Sequence, residues 1–241
     1  MTVPAFYATQ GTVSNPGRYA ALLDDMPSGI HDLLGAVMPL VFNDFLAKAT
    51  DVHVPGGSEQ DCRFRYLEHR LECIAKREKT AVADILSVGN CRDISLFICA
   101  ALRHKHIPAR VRSGFATFFD PRKKFDHWLC EYWNDRDNRW QRVDGWVFQA
   151  AENLSSLPPQ FSDTFAALGM DALDVGSAFF LSGGQAWSLC RKGGDDFGNY
   201  GTEEAGLEGE WFVRDNMIRD LFCLAKIESL PWDCWNGMGN E

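Results

Sequence analysis

The chain has 241 residues, of which 46% are hydrophobic and 24% charged, and its formal net charge at pH 7 is −9. This composition predicts a globular protein with a sizeable core, and the negative charge disfavours nucleic acid or an anionic membrane as the main partner, because both would be repelled. The first residues lack the charged and apolar regions of a secretory leader, and no stretch approaches the roughly 18 apolar residues of a membrane-spanning helix. We therefore expect a cytoplasmic protein.

The first part of the chain is predicted to be mainly helical. Residues 1–16 are rich in turn-forming residues and are expected to lie outside the core. Apolar spacing and capping signals predict three helices, which span Arg18–Leu23, Ile30–Ala47 and Glu59–Lys76. The sequence leaves the state of Arg77–Val88 open.

The middle of the chain predicts one helix followed by a small sheet. A helix is expected over Asn90–Arg103, because its apolar residues form a single stripe, and Pro108 prevents its continuation. Three strands joined by short turns follow, at Ile107–Phe119, Asp126–Trp133 and Arg139–Val143. Consecutive strands of this kind predict an antiparallel meander packed against the preceding helix, which is an α+β fold.

After Asp144 the sequence again predicts helices, at Phe161–Leu168, Ser177–Arg191 and Glu210–Lys226. The terminal segment Pro231–Trp235 is expected to dock on the body of the protein, since exposed tryptophans lower solubility. We expect a single domain over residues 1–241. It would comprise a helical N-terminal part (1–88), a catalytic core (89–145) and a C-terminal helical extension (146–241).

The eight cysteines and the basic residues bear on possible ligands. No two cysteines form a Cys-x-x-Cys pair, and none lies at zinc-ligand spacing from a histidine. In a reducing compartment they are expected to be free thiols, so the sequence implies no metal and no cofactor. A local basic cluster leaves a small anionic ligand possible, and it comprises residues 103–106, Arg110, Arg112 and residues 122–124.

A lone cysteine stands at the predicted start of the central helix, in Gly89-Asn90-Cys91-Arg92-Asp93. Unpaired N–H groups and the helix dipole at this position favour a thiolate over a thiol. His127 lies near the start of the second strand and Asp144 at the end of the third, so the two meet if these strands are neighbours. The pattern predicts Cys91 as nucleophile, His127 as its acid and base, and Asp144 as the group that orients the imidazole. The backbone N–H of Cys91 would be an oxyanion donor.

These residues and their neighbours resemble the transglutaminase-like superfamily over about residues 85–145. The resemblance rests on four fragments, which are Gly89–Asp93, Leu102-Arg103 with Ile107–Arg110, His127-Trp128 with Glu131, and Trp140 with Val143-Asp144. It implies a transglutaminase-like, papain-like core and a triad of Cys91, His127 and Asp144. The tail, with Trp187, Cys190-Arg191, Trp211–Arg214 and Leu230–Asp233, is also similar to that of small bacterial transglutaminase-domain proteins.

Two positions depart from the family pattern. His106 stands where the family usually has a glycine, at a helix end that requires a positive φ. No tryptophan precedes Trp128, whereas the animal enzymes use an upstream tryptophan to stabilise the oxyanion. The candidate oxyanion or substrate-binding residues are therefore Asn90, Gln60 and Trp128.

Each candidate also has a structural interpretation. Cys91 can be read as a buried thiol, His127 as a strand histidine bonded to a carbonyl, and Asp144 as a turn residue before Gly145. Asp93 is expected to cap the helix or to pair with Arg92 or a residue of the C-terminal tail, and Asp126 is expected to point to the strand face opposite His127. Leu181–Gln185 matches the signature peptide of ATP-binding-cassette ATPases, but the chain has no phosphate loop, so we interpret it as a glycine break.

The resemblance implies a cysteine enzyme that forms a thioacyl intermediate from an amide, ester or thioester. With water as acceptor it would be a peptidase or amidase, and with an amine it would be an amide-forming transferase. The expected substrate is a peptide, a protein or a small acyl compound, and the oligomeric state is not predicted. The alternative is a binding or scaffolding module that keeps the fold without the chemistry.

Overall fold

The computed structural model of the protein describes residues 3–50, 52–54, 58–77, 85–157 and 168–239. Positions 161–167 of the predicted helix Phe161–Leu168 lie outside these residues, and so do positions 78–84 of the stretch Arg77–Val88, whose state the sequence leaves open. In the described part of the chain, no helix is both long and apolar enough to cross a membrane.

Helices and short strands alternate along the described residues. The α-helices are α1 (Val3–Phe6), α2 (Ile30–Val37), α3 (Asp44–Ala49), α4 (Leu67–Arg77), α5 (Cys91–His104), α6 (Gly145–Glu152), α7 (Gly183–Arg191) and α8 (Glu210–Leu224). The strands are β1 (Phe42–Asn43), β2 (Val88–Gly89), β3 (Ala109–Ala116), β4 (Lys124–Asn134), β5 (Arg139–Val143), β6 (Phe180–Ser182) and β7 (Tyr200–Gly201). Short 3₁₀ helices span Gly17–Leu23, Ser58–Arg63, Leu154–Ser156 and Phe197–Asn199.

Helix α5 forms the centre of the core, as its apolar stripe predicts. Every residue from Arg92 to Arg103 is buried, and the helix packs against β3, β4 and α6. The close approach of α6 requires Gly145, because a Cβ atom there would lie 2.3 Å from Cγ2 of Ile94. At the other end of α5, His106 has a φ of 59°, the left-handed conformation that its place in the sequence requires.

The main sheet has the strand order β5-β4-β3-β6, with all of these pairs antiparallel, and β7 pairs in parallel with β4. Strands β3, β4 and β5 form the predicted meander, so the α+β class is confirmed. Their register places Arg110 opposite Glu131 and Glu131 opposite Arg142, and it places Gly114 opposite His127. A second, two-stranded sheet is formed by parallel pairing of β1 with β2.

Two predicted N-terminal helices are each divided in the structure. The prediction over Ile30–Ala47 is wrong in its middle, because Pro39 follows the end of α2 and cannot continue a helix. The chain then forms β1 and starts again as α3. The predicted helix Glu59–Lys76 is divided into the 3₁₀ helix Ser58–Arg63 and α4. Asp61, on the 3₁₀ helix, is buried, binds Arg77 at the end of α4, and accepts from the N–H of Val88 at 3.1 Å.

The prediction of a continuous helix over Ser177–Arg191 is also wrong. Phe180–Ser182 instead pairs with β3 as an edge strand, and α7 begins only at Gly183. Ser182 and Gln185 form a reciprocal capping box, with bonds of 3.0 and 3.3 Å, so this segment of the ATPase-like peptide is a helix start. Long-range strand pairing has therefore overridden the local helical pattern.

Both ends of the described chain are held against α5 by buried arginines. Residues before Pro16 were expected outside the core, but Tyr7, Val13 and Ser14 are buried. Arg103 donates to the hydroxyl of Ser14 at 2.9 Å and to the carboxylate of Glu228 at 2.8 Å. The terminal segment docks through the buried Leu230 and an ion pair between Asp233 and Arg65, whereas Trp232 remains about half exposed.

Candidate active site

The two-stranded sheet places the starts of α3 and α5 side by side. Asn43, the last residue of β1, pairs with Gly89, the last residue of β2. Each strand leads directly into a helix whose N-cap is an asparagine, Asn43 for α3 and Asn90 for α5. Gly89 is needed for this approach, because a Cβ atom there would lie 2.8 Å from Cβ of Asp93 and 2.9 Å from Cγ2 of Val41.

A network of buried charges fixes the first turn of α5. The Asn90 side chain accepts from the N–H of Asp93, and the Asp93 carboxylate accepts from the N–H of Asn90, both at 3.1 Å. Asp93 also pairs with Arg70 at 2.9 Å and with Arg92 at 3.0 Å. Arg92 in turn donates to the carbonyl of Ser229 at 3.0 Å. Asp93 therefore has the structural role expected for it, and the backbone of Cys91 is held rigidly.

His127 and Asp144 form a short polar contact. Nε2 of His127 lies 2.6 Å from Oδ2 of Asp144, and both side chains are buried. The other oxygen of Asp144 accepts from the N–H groups of Trp146 at 3.0 Å and Val147 at 3.2 Å, which caps α6. Asp144 thus has both roles that the sequence left open, since it ends a strand as a capping residue and also holds the imidazole.

Cys91 lies on the side of the His127 imidazole that faces away from Asp144. Because Nε2 of His127 faces Asp144, its Nδ1 is the ring nitrogen left for the thiol, and the Cys91 and His127 side chains are hydrogen-bonded. The backbone N–H of Trp128 also donates to the sulfur. Cys91 is partly exposed and faces a cavity. The structure therefore brings the three predicted residues together in the order Cys91, His127, Asp144.

The pKa values of Cys91 and His127 are set by burial and by their hydrogen-bonding and charged neighbours. Burial lowers the pKa of His127, but the charge and hydrogen bond of Asp144, aided by Cys91, outweigh it and raise the pKa to about 10. Burial raises the pKa of the Cys91 thiol, and its contacts with His127 and the Trp128 N–H oppose this only in part. The sequence had led us to expect a depressed thiol pKa. The two groups interact directly, so their titrations are coupled and belong to the pair.

The cavity beside Cys91 has a volume of about 440 Å³. Its walls are acidic and aromatic: Asp44, Asp120, Asp126 and Glu203 line it together with Phe45, Phe119, Phe125 and Trp146. Phe119 and Trp146 also contact the His127 ring edge-on, at centroid distances of 5.9 and 6.3 Å. This aromatic wall limits water access to the imidazole and preserves its interaction with Asp144.

Asp126, the neighbour of His127 on β4, also lines the cavity. Its side chain is half-buried, and its carboxylate accepts from Nδ2 of Asn216 at 2.5 Å. Burial raises the pKa of Asp126, against the charge of Arg219 and the bond from Asn216. Asp144 is nevertheless the carboxylate that binds the imidazole, so Asp126 belongs to the cavity wall.

The three predicted oxyanion or substrate-binding residues lie in different places. Asn90 lines the cavity, and its side-chain oxygen is occupied by the helix cap. The indole of Trp128 is buried in the core, and only the backbone of this residue reaches Cys91. Gln60 is exposed on the 3₁₀ helix Ser58–Arg63 and does not line the cavity. The positions of Trp128 and Gln60 therefore do not support the roles expected for their side chains.

Sequence reasoning missed Asn43, which lines the cavity and is 4% exposed. Its Oδ1 accepts from the N–H groups of Phe45 at 3.0 Å and Leu46 at 3.1 Å, and its own N–H donates to Gln149 at 2.9 Å. Among the described residues, its Nδ2 has no acceptor. The sequence signal was Asn43-Asp44 after Pro39, which is a helix-cap pattern inside a segment predicted as one helix.

Comparison with known proteins supports the resemblance seen in the sequence. Residues 61–145, which include Cys91, His127 and Asp144, match the family model of the transglutaminase-like superfamily. Among solved structures, the chain is similar to a candidate cysteine protease from Cytophaga hutchinsonii, with 15% identity, a TM-score of 0.36, and coverage of 61% of this chain and 43% of that chain. It is also similar to the transglutaminase of red sea bream, with 17% identity, a TM-score of 0.33, and coverage of 53% of this chain and 25% of that chain. The chain therefore spans less than half of the length of either protein. No curated protein gives a significant match.

Proposed function

Because residues 61–145 match the transglutaminase-like superfamily, we propose that this protein is a cysteine-dependent acyltransferase or hydrolase that works through a thioacyl intermediate on Cys91. One observation carries the proposal. A cysteine at the start of a rigid helix is hydrogen-bonded to an imidazole, and a buried carboxylate holds that imidazole at 2.6 Å beside an open cavity. This is the arrangement that nucleophilic catalysis by a thiol requires.

The first half-reaction forms the thioester. With the shared proton on His127, the Cys91 thiolate attacks the carbonyl carbon of an amide, ester or thioester, and the C=O electron pair moves onto oxygen. When the tetrahedral intermediate collapses, the bond to the leaving nitrogen, oxygen or sulfur breaks. His127 donates its proton to that leaving group, and Asp144 keeps the imidazole oriented throughout.

The second half-reaction releases the acyl group. Water or an amine attacks the thioester carbonyl, and His127 takes the proton that the attacking group loses. Collapse of the second tetrahedral intermediate breaks the C–S bond and regenerates the Cys91 thiolate with a protonated His127. The acceptor decides whether the product is a free acid or a new amide, and both products use the same three residues.

Asn43 is our candidate for the side-chain oxyanion donor. The N–H of Cys91 lies in the first turn of α5, where helices leave their N–H groups unpaired, and it supplies one donor. The second is Nδ2 of Asn43, because its amide is fixed by two cap bonds and has no other acceptor among the described residues. Asn90 is more exposed, so its amide is less shielded from water.

The test is direct detection of the acyl-enzyme. The protein is incubated with an activated ester such as p-nitrophenyl acetate at alkaline pH, and the acetylated cysteine is located by peptide mass spectrometry. We expect one acetyl group on Cys91 and none after Cys91→Ala. Cys234 is exposed and serves as the internal control for ordinary thiol reactivity. Acetylation of Cys234 with Cys91 unmodified would contradict the proposal.

The alternative is a binding module, and one observation favours it. Burial raises the pKa of the Cys91 thiol, which opposes formation of a thiolate. For a binding module we expect no acetylation of Cys91 at any pH up to that at which His127 loses its proton. Such a result in a folded protein would support ligand binding in the aromatic cavity without covalent chemistry.

A further inference from the structure

A second cavity, of about 510 Å³, lies at the far end of β4 from His127. Arginines dominate its walls: Arg110, Arg112, Arg139 and Arg142 line it, against the carboxylates of Glu131 and Asp174. None of its lining residues belongs to the cavity beside Cys91. Glu131 follows His127 by four positions on the strand, which corresponds to about 13 Å. The two cavities are therefore separate sites.

The sheet register builds this cavity. Arg110, Glu131 and Arg142 stand opposite one another on β3, β4 and β5, so their side chains lie on one face of the sheet. Glu131 is 3% exposed and binds all three nearby guanidinium groups: Arg110 at 2.7 Å, Arg112 at 2.9 Å and Arg142 at 3.1 Å. One buried carboxylate thus fixes three arginines in place.

This anchoring leaves donors that face the cavity. Nε and Nη2 of Arg110 both contact the carboxylate of Glu131. Nε of Arg142 donates to Glu131, and Nη1 of Arg142 donates to the carbonyl of Phe180 at 3.3 Å. Nη1 of Arg110 and Nη2 of Arg142 have no acceptor among the described residues, and neither atom is sealed from solvent. Arg110 also lies flat on the Trp140 ring, 3.9 Å from its centroid, which leaves the edge of the guanidinium free.

The charge around the cavity differs from that of the whole protein. Arg112 is additionally neutralised by Asp220, with bonds of 2.7 and 2.8 Å, and Arg139 pairs with Asp174 at 2.5 Å and with Asp137 at 3.8 Å. The four arginines therefore face four carboxylates, so the cluster is balanced in charge within a chain whose formal net charge is −9. A small anion is repelled less by this balanced cluster than by the acidic surface of the rest of the protein.

We propose that this cavity binds a phosphate group, either as free phosphate or as the phosphoryl group of a small molecule. Guanidinium N–H groups bind phosphate oxygens well, and two arginines that line the cavity, Arg110 and Arg142, each keep one Nη group that has no acceptor among the described residues. Its volume falls within the range of about 300–1,000 Å³ that is typical of small-molecule sites, so a phosphate ester fits as well as the inorganic ion. This inference is independent of any reaction at Cys91.

The test measures thermal unfolding of the full chain in inorganic phosphate, in glycerol 3-phosphate and in succinate, each against sodium chloride at equal ionic strength. We expect a rise in Tm of roughly 3–6 °C when phosphate exceeds its Kd about tenfold. A larger rise with the ester would identify a phosphorylated small molecule as the ligand, whereas an equal rise would identify free phosphate. A rise only with succinate would overturn the phosphate assignment.

The matched variants are Arg142→Gln in the cavity and Arg122→Gln on the surface, where the Arg122 side chain is 88% exposed. Each removes one positive charge, so we expect R122Q to keep the phosphate-induced rise in Tm and R142Q to lose at least half of it. Should R142Q fail to fold, arginine modification of the unaltered protein by phenylglyoxal replaces it. Phosphate should then protect Arg110 and Arg142 but not Arg122. Equal Tm shifts in the two variants, or equal modification of all three arginines, would refute the site.

Discussion

Replacement of Asn43 by serine tests the oxyanion donor without removing the helix cap. Serine caps helices about as well as asparagine, so its hydroxyl can accept from the N–H groups of Phe45 and Leu46 in place of Oδ1. We expect the free energy of unfolding to change by only about 0.5 kcal/mol. The amide donor is lost, and removal of one donor from an oxyanion site typically lowers kcat by about 10²–10³, or roughly 2.7–4 kcal/mol.

The assay compares two reactions of the same thiol. Hydrolysis of p-nitrophenyl acetate passes through a tetrahedral oxyanion, whereas alkylation of Cys91 by iodoacetamide is a displacement at a saturated carbon and develops none. The variant Asn43→Ser should therefore lose kcat/KM for the ester by about 10²–10³ and keep the alkylation rate of Cys91 within about twofold. Asn43→Asp, which keeps the cap acceptor and removes the donor, should lose at least as much ester activity.

Asn153→Ser is the control for the substitution itself, because the Asn153 side chain donates to the carbonyl of Gln149 at 2.8 Å and does not line the cavity. We expect this variant to keep the ester activity. If Asn43→Ser lowers ester hydrolysis and alkylation equally, the residue supports the position of Cys91 and is not an oxyanion donor. Unchanged ester hydrolysis would also refute the assignment.

Three further predictions follow from the charges and packing of the site. The rate of Cys91 acylation should rise towards alkaline pH, because burial raises the thiol pKa, and it should fall as His127 deprotonates near pH 10. Asp144→Asn should move this falling limb of the pH–rate profile to lower pH. The raised pKa of His127 contributes stability that is complete below its ordinary pKa of 6.5 and is lost as the pH rises towards about 10. The free energy of unfolding, measured with urea, should therefore decline over this pH range, and His127→Gln should reduce the decline. Gly145→Ala should lower the free energy of unfolding in urea by about 1–3 kcal/mol, because its Cβ would clash with Ile94. Gly35→Ala lies in α2, where the added Cβ would meet no atom within 4 Å, so it should be neutral or stabilising by about 0.5–1 kcal/mol. Equal effects of the two alanines, or pH profiles that the variants leave unmoved, would contradict these arguments.

The parts of the fold that the sequence predicted correctly are those fixed by local signals. The apolar stripe of α5 and the strand signal of β5 are properties of neighbouring residues, and the structure has both the helix and, over Arg139–Val143 as predicted, the strand. The break at Pro39 is also a local signal, although the apolar spacing continues across it. In contrast, β6 exists because Phe180–Ser182 finds a partner in β3, and no pattern within that segment indicates the pairing.

The candidate site also has parts that local sequence signals predict and parts that depend on long-range pairing. Chain order and strand alternation suffice to bring His127 close to Asp144, because the two strands are consecutive and short turns make them neighbours. Asn43 reaches Cys91 only through the parallel pairing of β1 with β2, whose strands are separated by more than forty positions along the chain. The row of Arg110, Glu131 and Arg142 likewise depends on the register of three strands, although each residue is visible in the sequence.

The thiol pKa shows why position along a helix does not determine reactivity. A helix N-terminus stabilises a charge by about 0.3–1 kcal/mol, which is less than one pKa unit, whereas burial can shift a pKa by more than about one unit. For Cys91 the larger effect prevails, and burial raises the pKa that the helix start would lower. Stabilisation of the thiolate therefore depends on the imidazolium of His127, and so on the carboxylate of Asp144 that keeps this imidazole protonated. If this reasoning holds, Asp144→Asn lowers the acylation rate more than any substitution that alters only the cap of α5.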